Sequence, residues 1–328
     1  MKNTIIPGGS IPEYDIKNNA NNKLSKTPVM ISLAMFCCFL WGSAFPCIKV
    51  GYRLFGISGS DSASQILFAG VRFMMAGIMV VLVKCVTEKK PVLPSAPGKI
   101  AVLSLFQTII QYIFFYIGLA HTTGVKSSII TGSGTFITLF VCCLMFRQEK
   151  LEKRKIAGCL LGFIGLILVN LTGNSIDFDV SVFGEGFILI AAFSSAMASG
   201  FIKMFSKDSD VVMLSGYQFF FGGIVMILAG YFTGGRLGGI SAAGTGLIMY
   251  MGFISAAAYT FWGLLLKYND VSKVSACKFM TPVFGVFLSF VILGESGQFG
   301  WQMVLSLVLV CAGIFIVNSS GKAKNGNK

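Results

Sequence analysis

Two basic residues lie where the surrounding sequence is otherwise apolar. Arg72 stands in the run Phe68-Ala-Gly-Val-Arg-Phe-Met-Met-Ala-Gly, and Lys278 stands four residues before Pro282 in a second apolar run. A cation in such a segment binds an anionic group, pairs with a polar neighbour, or extends its stem to a polar boundary. Both residues are therefore candidate anion-binding groups. The alternatives are a structural tie to helix-end carbonyls or a polar neighbour for Arg72 and an interfacial position for Lys278.

A third apolar segment carries Gln107 and Gln111, followed by Tyr112. Residues four apart share one face of a helix, so the two amides point the same way. Because amides are unfavourable in hydrocarbon without a hydrogen-bond partner, this face must look inward. It is expected to face water and substrate, with contact to another helix as the alternative.

Large aromatic residues offer walls for the same site. Trp41 lies in the middle of the first apolar segment, and Tyr259 lies in the eighth. Both are candidate substrate-binding residues. Trp262 and Trp301 lie nearer to segment ends, where tryptophan is typical of membrane interfaces, so they are predicted to be interfacial anchors.

Three further residues are predicted to be structural. Glu149 and Glu295 end matching apolar runs, and each can cap the next helix and oppose its positive dipole end. A role in proton coupling is the alternative for both. Pro282 removes a backbone donor, so it is expected to kink its helix and free a carbonyl.

The sequence does not favour catalysis or metal binding. It contains no Gly-x-Ser-x-Gly, no His-x-x-x-His and no phosphate loop, and its one histidine, His121, has no partner at ligand spacing. We therefore predict no catalytic residue, no metal and no cofactor. The net charge of +13 is spread over many short segments instead of one soluble face, so no nucleic-acid partner is expected.

The elements that position these residues must be membrane helices. Hydrophobic residues make up 55% of the chain and charged residues 12%, against about a quarter charged in soluble proteins. A bilayer core of about 30 Å needs roughly 20 helical residues. Ten apolar blocks approach that length: 28–50, 64–84, 99–119, 124–146, 154–172, 182–202, 212–232, 244–266, 271–293 and 298–318.

The second half of the chain echoes the first. The run around Arg72 reappears as Leu214-Ser-Gly-Tyr-Gln-Phe-Phe-Phe-Gly-Gly, where Gln218 takes the place of the arginine. Two copies that each cross the membrane an odd number of times must be inserted in opposite orientations, as in secondary transporters. We therefore predict an all-α integral membrane protein with ten transmembrane helices, arranged as two inverted five-helix repeats, 28–172 and 182–319, around a central cavity.

The basic residues predict the orientation. With a cytoplasmic N-terminus, about twenty of the 26 Lys and Arg residues fall in cytoplasmic segments, in agreement with the positive-inside rule. Both termini are therefore expected in the cytoplasm, as a disordered tail at 1–27 and a short tail at 320–328.

Several short motifs together resemble the EamA group of the drug/metabolite transporter superfamily. The motifs are Trp41-Gly-Ser-x-Phe45, Arg72-Phe73, Thr281-Pro-Val-Phe284 and Leu293-Gly-Glu295, within a resemblance over about 28–319. The resemblance implies two inverted five-helix halves, a central cavity and alternating access for small metabolites. It departs from the family pattern at Gln218 and at Arg147-Gln-Glu149, where Leu-Gly-Glu is usual.

The resulting hypothesis is a secondary transporter in the cell membrane, an exporter or exchanger of small polar or amphipathic metabolites such as amino acids. A carrier of phosphorylated sugars or nucleotide sugars is the alternative within transport, and a multispan membrane enzyme or scaffold is the alternative outside it. Gly158, Gly162 and Gly165 form a small-residue face on the fifth segment. Such faces permit close helix approach, to a neighbouring helix or in a homodimer.

The orientation can be tested by cysteine labelling of intact cells. In a cysteine-free background, single cysteines at Ser181 or Gly234 should react with an impermeant reagent added outside, whereas cysteines at Lys89 or Lys153 should not. Labelling of Lys153→Cys from outside would overturn both the cytoplasmic termini and the inverted repeat.

Overall fold

The computed structural model describes residues 22–122, 124–170, 181–239, 241–293 and 301–319. These residues form helices, turns and connecting segments, and no strand occurs among them. The helices are α1 (Thr27–Leu54), α2 (Ser62–Glu88), α3 (Pro97–Ala120), α4 (Gly124–Phe140, continued by Val141–Met145), α5 (Lys153–Asn170), α6 (Val182–Phe205), α7 (Val211–Phe232), α8 (Ala242–Tyr268), α9 (Val271–Ala276, Cys277–Phe279 and Met280–Leu293) and α10 (Trp301–Asn318).

Seven of these helices are long and apolar enough to cross a bilayer: α1, α2, α3, α6, α7, α8 and α9. Shorter apolar stretches occur in α4 and α10, at Ile129–Met145 and Val304–Asn318. The predicted multi-pass, all-helical membrane protein is thus confirmed, and the number of ten crossings stays a prediction. The tail positions 1–21 and 320–328, and Glu295, lie outside the described residues.

Helices α2 and α7, which carry the echoed runs, begin in the same way. Asp61 accepts a hydrogen bond from the Ser64 amide (3.0 Å), and Asp210 accepts one from the Met213 amide (2.8 Å). An aspartate at the N-cap satisfies a backbone donor that the helix leaves free. The bonds from Ser64 also hold the pKa of the Asp61 carboxyl below its usual range.

The contact between α2 and α7 is made through glycines that recur every seven residues. A Cβ atom on Gly77 would lie 2.4 Å from the backbone nitrogen of Phe220, and one on Gly223 would lie 2.4 Å from the backbone nitrogen of Met74. The two backbones are therefore in direct contact, as small residues allow in membrane helices.

The glycines of α5 pack against α10 of the same chain. A Cβ atom on Gly158 would lie 2.7 Å from the Gly313 carbonyl oxygen, and one on Gly165 would lie 2.9 Å from the Ser306 carbonyl oxygen. The Ser306 hydroxyl also donates to the Gly165 carbonyl (2.6 Å). The small-residue face is therefore covered within the chain by a neighbouring helix, one of the two predicted alternatives, and the homodimer stays a prediction.

Other helix contacts in the first half have counterparts in the second half. Helix α1 packs against α8 and α9, and α6 packs correspondingly against α3 and α4. Helix α2 also contacts α8, just as α7 contacts α3. If each helix of one half is replaced by its counterpart in the other, this set of contacts is unchanged.

The glycine contact can be tested by adding one methyl group. Gly223→Ala should lower the melting temperature of the purified protein, because the new Cβ would meet the α2 backbone; overpacking of this kind destabilises by about 1–3 kcal/mol. Gly246→Ala on α8 is the matched control, since no atom lies within 4 Å of its Cβ position. Equal melting temperatures for the two variants would contradict direct backbone contact.

Candidate functional site

Arg72 is buried in α2 with 5% of its surface exposed. Its guanidinium carbon lies 4.3 Å from the ring centre of Phe73 and 5.8 Å from that of Tyr112. Its Nε atom has no hydrogen-bond partner, and within the described part of the chain no carboxylate lies within 4 Å of it. The cation is thus held by aromatic rings, which attract it through their negative faces.

Lys278 lies in the 3-10 segment Cys277–Phe279, which interrupts α9 just before Pro282. Its Nζ atom is 5.3 Å from the ring centre of Trp262. The fully buried Cys38 and Cys142, on α1 and α4, lie within electrostatic reach. The residue is therefore inside the helix bundle, not at its interface. Like Arg72, it has no ion-pair partner among the described residues.

A line of aromatic rings connects the two cations. Trp262 packs against Trp41 with ring centres 4.9 Å apart, and Trp41 packs against Tyr259 at 5.1 Å. The Tyr259 and Tyr112 hydroxyls hydrogen-bond to each other, and Tyr112 lies 4.4 Å from Phe73. Trp41, Tyr112 and Tyr259 are only half-buried. The rings thus form one continuous aromatic lining from Lys278 to Arg72.

This lining lies where the two halves meet. Tyr112 and Tyr259 are 147 positions apart and occupy corresponding helices, α3 and α8. Phe73 and Phe219 are counterparts in the echoed runs of α2 and α7, and they stack with ring centres 5.3 Å apart and planes within 8°. Corresponding elements of the two halves thus touch each other at this lining.

The two cations break this symmetry. Gln218, the counterpart of Arg72, is fully buried and accepts a hydrogen bond from the Thr108 hydroxyl (2.7 Å). The Ser104 hydroxyl also donates to the Gln218 backbone carbonyl (3.1 Å). Gln218 therefore ties α7 to α3 by hydrogen bonds, whereas its counterpart Arg72 lies against the aromatic side chains of Phe73 and Tyr112.

The two glutamines have different surroundings. Gln111 lies beside the Tyr259 hydroxyl and joins the aromatic lining. Gln107 is buried one turn earlier, in the π-helical segment Ser104–Ile110, and makes no hydrogen bond to another described residue. Wide π-helical turns are frequent near functional sites, and apolar periodicity does not reveal them.

One aromatic prediction is wrong. Trp262, predicted as an interfacial anchor, is 2% exposed and packs between Trp41 and Lys278. Trp262 was placed at an interface because it lies near the end of its span. In the structure, the way α8 crosses its neighbours points this face of the helix into the bundle. Trp301 is 69% exposed, as an outward-facing anchor requires.

Sequence reasoning also missed Phe73, Phe219 and Tyr52. The first two form the central stack, and the buried Tyr52 hydroxyl lies near Arg72 with no hydrogen-bond partner in the described chain. The echoed runs could have indicated the two phenylalanines, because they occupy the same position in each run and counterpart residues can touch only where the two halves meet. Tyr52 had no comparable signal.

Glu149 joins the two halves away from the lining. It pairs with the buried Lys155 (2.5 Å), and its carboxylate accepts the Ser272 amide (2.9 Å) and the Ser272 hydroxyl. Ser272 is in the first turn of α9, so Glu149 caps that helix, not the following helix α5 as predicted. The cap is needed there because Asp270 makes no side-chain capping bond and pairs instead with Lys273.

The arrangement defines a class of protein: a multi-pass helical membrane protein with buried cations and aromatic rings between two corresponding halves. The chain belongs to the EamA-like transporter family, whose model matches it twice, over residues 28–171 and 182–319. It is therefore a membrane transporter and not an enzyme, as the sequence motifs indicated.

Several relatives support this assignment. An uncharacterized transporter, YvbV, of Bacillus subtilis (strain 168) is 23% identical over 92% of this chain and 95% of its own length. A probable amino-acid metabolite efflux pump of Salmonella typhimurium is 26% identical over 87% and 93%. An S-adenosylmethionine/S-adenosylhomocysteine transporter of Chlamydia muridarum is 23% identical over 88% and 92%.

One solved crystal structure has the same fold. It superposes with a TM-score of 0.71 at 16% identity and covers 88% of this chain and 96% of its own. At this identity the likeness concerns the fold alone.

The buried ion pair gives a stability prediction. Glu149→Gln should lower the melting temperature strongly, because removing one partner leaves Lys155 as a buried charge without compensation, at about 3–5 kcal/mol. Glu152→Gln is the control, since Glu152 is exposed and pairs with Arg154 at the surface (3.0 Å). If Glu149→Gln were no less stable than the control, the pair would have no structural role.

Proposed function

We propose that this chain is a secondary transporter that moves small polar or amphipathic metabolites, such as amino acids, by alternating access. It would act in the cell membrane as an exporter or exchanger. The observation that carries the proposal is the aromatic lining between the buried Arg72 and the partly buried Lys278, neither of which pairs with a carboxylate in the described structure. A charge kept inside a membrane bundle without a partner is best explained by a ligand that supplies one.

The proposed architecture has ten crossings in two inverted halves, with both termini in the cytoplasm. Three observations support it: the double match to the family model, the exchange symmetry of the helix contacts, and the contacts between corresponding residues at the aromatic lining. Transporter sites lie at such repeat interfaces, near the middle of the membrane. The excess of Lys and Arg in the proposed cytoplasmic segments agrees with this orientation.

In this proposal Lys278 binds an anionic group of the substrate and Arg72 provides a second positive charge. The discontinuous α9 allows Lys278 to approach the substrate, since irregular backbone in membranes occurs where it lines a cavity. Trp41, Tyr112 and Tyr259 contact the apolar part. Gln111 and, one turn away, Gln107 supply amides.

A carrier of phosphorylated sugars or nucleotide sugars is the second candidate, because two cations also suit a phosphate. The names of the relatives favour the first candidate: one is named as an amino-acid metabolite efflux pump and another as a transporter of S-adenosylmethionine and S-adenosylhomocysteine. Both names describe metabolites with an amino-acid part.

The transport function can be tested by counterflow in proteoliposomes. Liposomes loaded with one unlabelled metabolite should accumulate its radiolabelled form from outside when they contain the protein, and empty liposomes should not. A panel of amino acids, sugar phosphates and nucleotide sugars separates the two candidates. A scaffold would give no counterflow with any of them.

The role of Lys278 gives a binding prediction. Lys278→Met removes the charge but keeps an unbranched stem, so the dissociation constant of the transported compound should rise roughly ten- to hundred-fold, as expected for loss of one charge-assisted hydrogen bond. Lys278→Arg should retain part of the affinity. Measurements of binding and melting temperature on the same samples separate lost contact from lost folding.

Lys267→Met is the matched control. Lys267 also lies over an aromatic ring, 5.5 Å from the centre of Tyr268, but at the end of α8. Its replacement should leave affinity unchanged. Wild-type affinity in Lys278→Met would transfer the anchoring role to Arg72.

A further inference from the structure

We infer that the compound bound at the aromatic lining is a net anion with a flat apolar body, and not a zwitterion or a cation. The inference rests on the proposed transport function and narrows its substrate class: among amino-acid metabolites it selects those with a net negative charge and excludes the neutral, zwitterionic amino acids. Three features of the site carry it: the sign of its charges, the kind of hydrogen-bonding groups left without a partner, and the way in which the ring faces are occupied.

The first feature is the distribution of acidic residues. The chain has 13 Asp and Glu residues, and each lies outside the predicted spans except Glu185, which is in the first turn of α6. Glu185 is already engaged there by Lys126 (3.5 Å) and the Thr122 hydroxyl (2.5 Å). The lining therefore offers two positive charges and, in its described part, no carboxylate. A substrate ammonium would lose its hydration and meet repulsion, whereas a carboxylate would be attracted.

The second feature is the excess of donors. Among the described residues, six buried polar atoms without a partner can only donate, and two, Gln148 Oε1 and Asn318 Oδ1, can only accept. Two of the six donors belong to Arg154 at the start of α5, and the other four are Trp41 Nε1, Trp262 Nε1, Arg72 Nε and Gln218 Nε2. Buried groups of this kind call for a partner that the protein itself does not supply. Such a set suits a ligand rich in acceptors.

The backbone acceptors next to Lys278 are used internally, and the open groups nearest to it in the chain are the Ser275 and Thr281 hydroxyls, which can donate as well as accept. The Met280 amide donates to the carbonyls of both Cys277 and Lys278, so the carbonyl that Pro282 was expected to free is occupied. Pro282 therefore does not create a cation site in α9. A substrate ammonium could use these hydroxyls only beside the like charge of Lys278, which disfavours it.

The third feature concerns the rings themselves. Aromatic faces can attract a ligand cation, and a cage of rings would otherwise favour an ammonium substrate. Here the face of Trp262 is taken by Lys278, and the faces of Phe73 and Tyr112 are taken by Arg72. The resident cations thus reduce the attraction of these rings for a cationic ligand group. The half-buried rings of Trp41 and Tyr259, over which no cation of the described residues lies, remain for a flat apolar body.

Three probes that share one ring and differ in charge test the inference. These are 3-phenylpropionate, which is an anion, phenylalanine, which is a zwitterion, and 2-phenylethylamine, which is a cation. Binding to the full-length protein in detergent is measured for each by calorimetry. The anion should bind at least about ten-fold more tightly than phenylalanine, the factor expected for one charge-assisted contact, and the amine should bind least.

Variants at Lys278 test whether the order of the three probe affinities depends on this site. In Lys278→Met the ratio of the phenylalanine to the phenylpropionate dissociation constant should fall, because the charge that attracts the carboxylate and repels the α-ammonium is gone. Lys267→Met should keep the wild-type ratio. If Lys278→Met is unstable, Lys278→Gln provides the same change of charge.

The outcomes separate this inference from the transport proposal. Phenylalanine binding as tightly as phenylpropionate, or no binding of any of the three probes, would overturn the anion assignment, while counterflow of other metabolites would leave the transport function intact. Absence of counterflow with every metabolite tested would overturn the proposed function itself.

Discussion

The direct contact between the backbones of α2 and α7 is the constraint on which the rest of the structure depends. Glycines at seven-residue intervals let the two helices approach until a single methyl group on Gly77 or Gly223 would collide with the opposite backbone. This approach brings corresponding residues of the two halves together, so Phe73 stacks on Phe219. It also holds Arg72 at the junction of the halves. The position of the candidate site therefore follows from how closely these two helices can pack.

Burial of two cations is the second physical condition of the site. In a low-dielectric interior a lysine or arginine normally pairs with a carboxylate, as Lys155 does with Glu149. Arg72 and Lys278 are held instead by aromatic faces, which offset only part of the lost hydration. We therefore propose that the site binds an anion. The described carboxylates lie at or beyond helix ends, and three of them, Asp61, Asp210 and Glu149, cap helices. The described interior therefore retains positive charge without a matching carboxylate.

The two halves share a fold but have diverged in function. Arg72 corresponds to Gln218, which is fixed to Thr108. Lys278, in the second half, corresponds by the same 146-residue offset to Gly132, so the first half has no cation at the matching position. A site built from both halves can therefore combine a symmetric frame, formed by Tyr112 and Tyr259, with an asymmetric distribution of charge. A substrate with one charged end and one apolar end suits such an arrangement.

The sequence by itself determined the membrane class, the family, the duplication and the two interior cations, because transfer of side chains to hydrocarbon depends on local composition. Only the tertiary structure decided which face of each helix points inward. In a bilayer both the lipid and the protein core are apolar, so hydropathy does not distinguish a face buried in protein from one exposed to lipid. For this reason Trp262 was predicted at the interface, and Glu149 was predicted to cap α5 instead of α9. For the same reason the sequence did not identify α10 as the helix that packs on the α5 glycines. Each of these positions depends on helix crossings between distant parts of the chain.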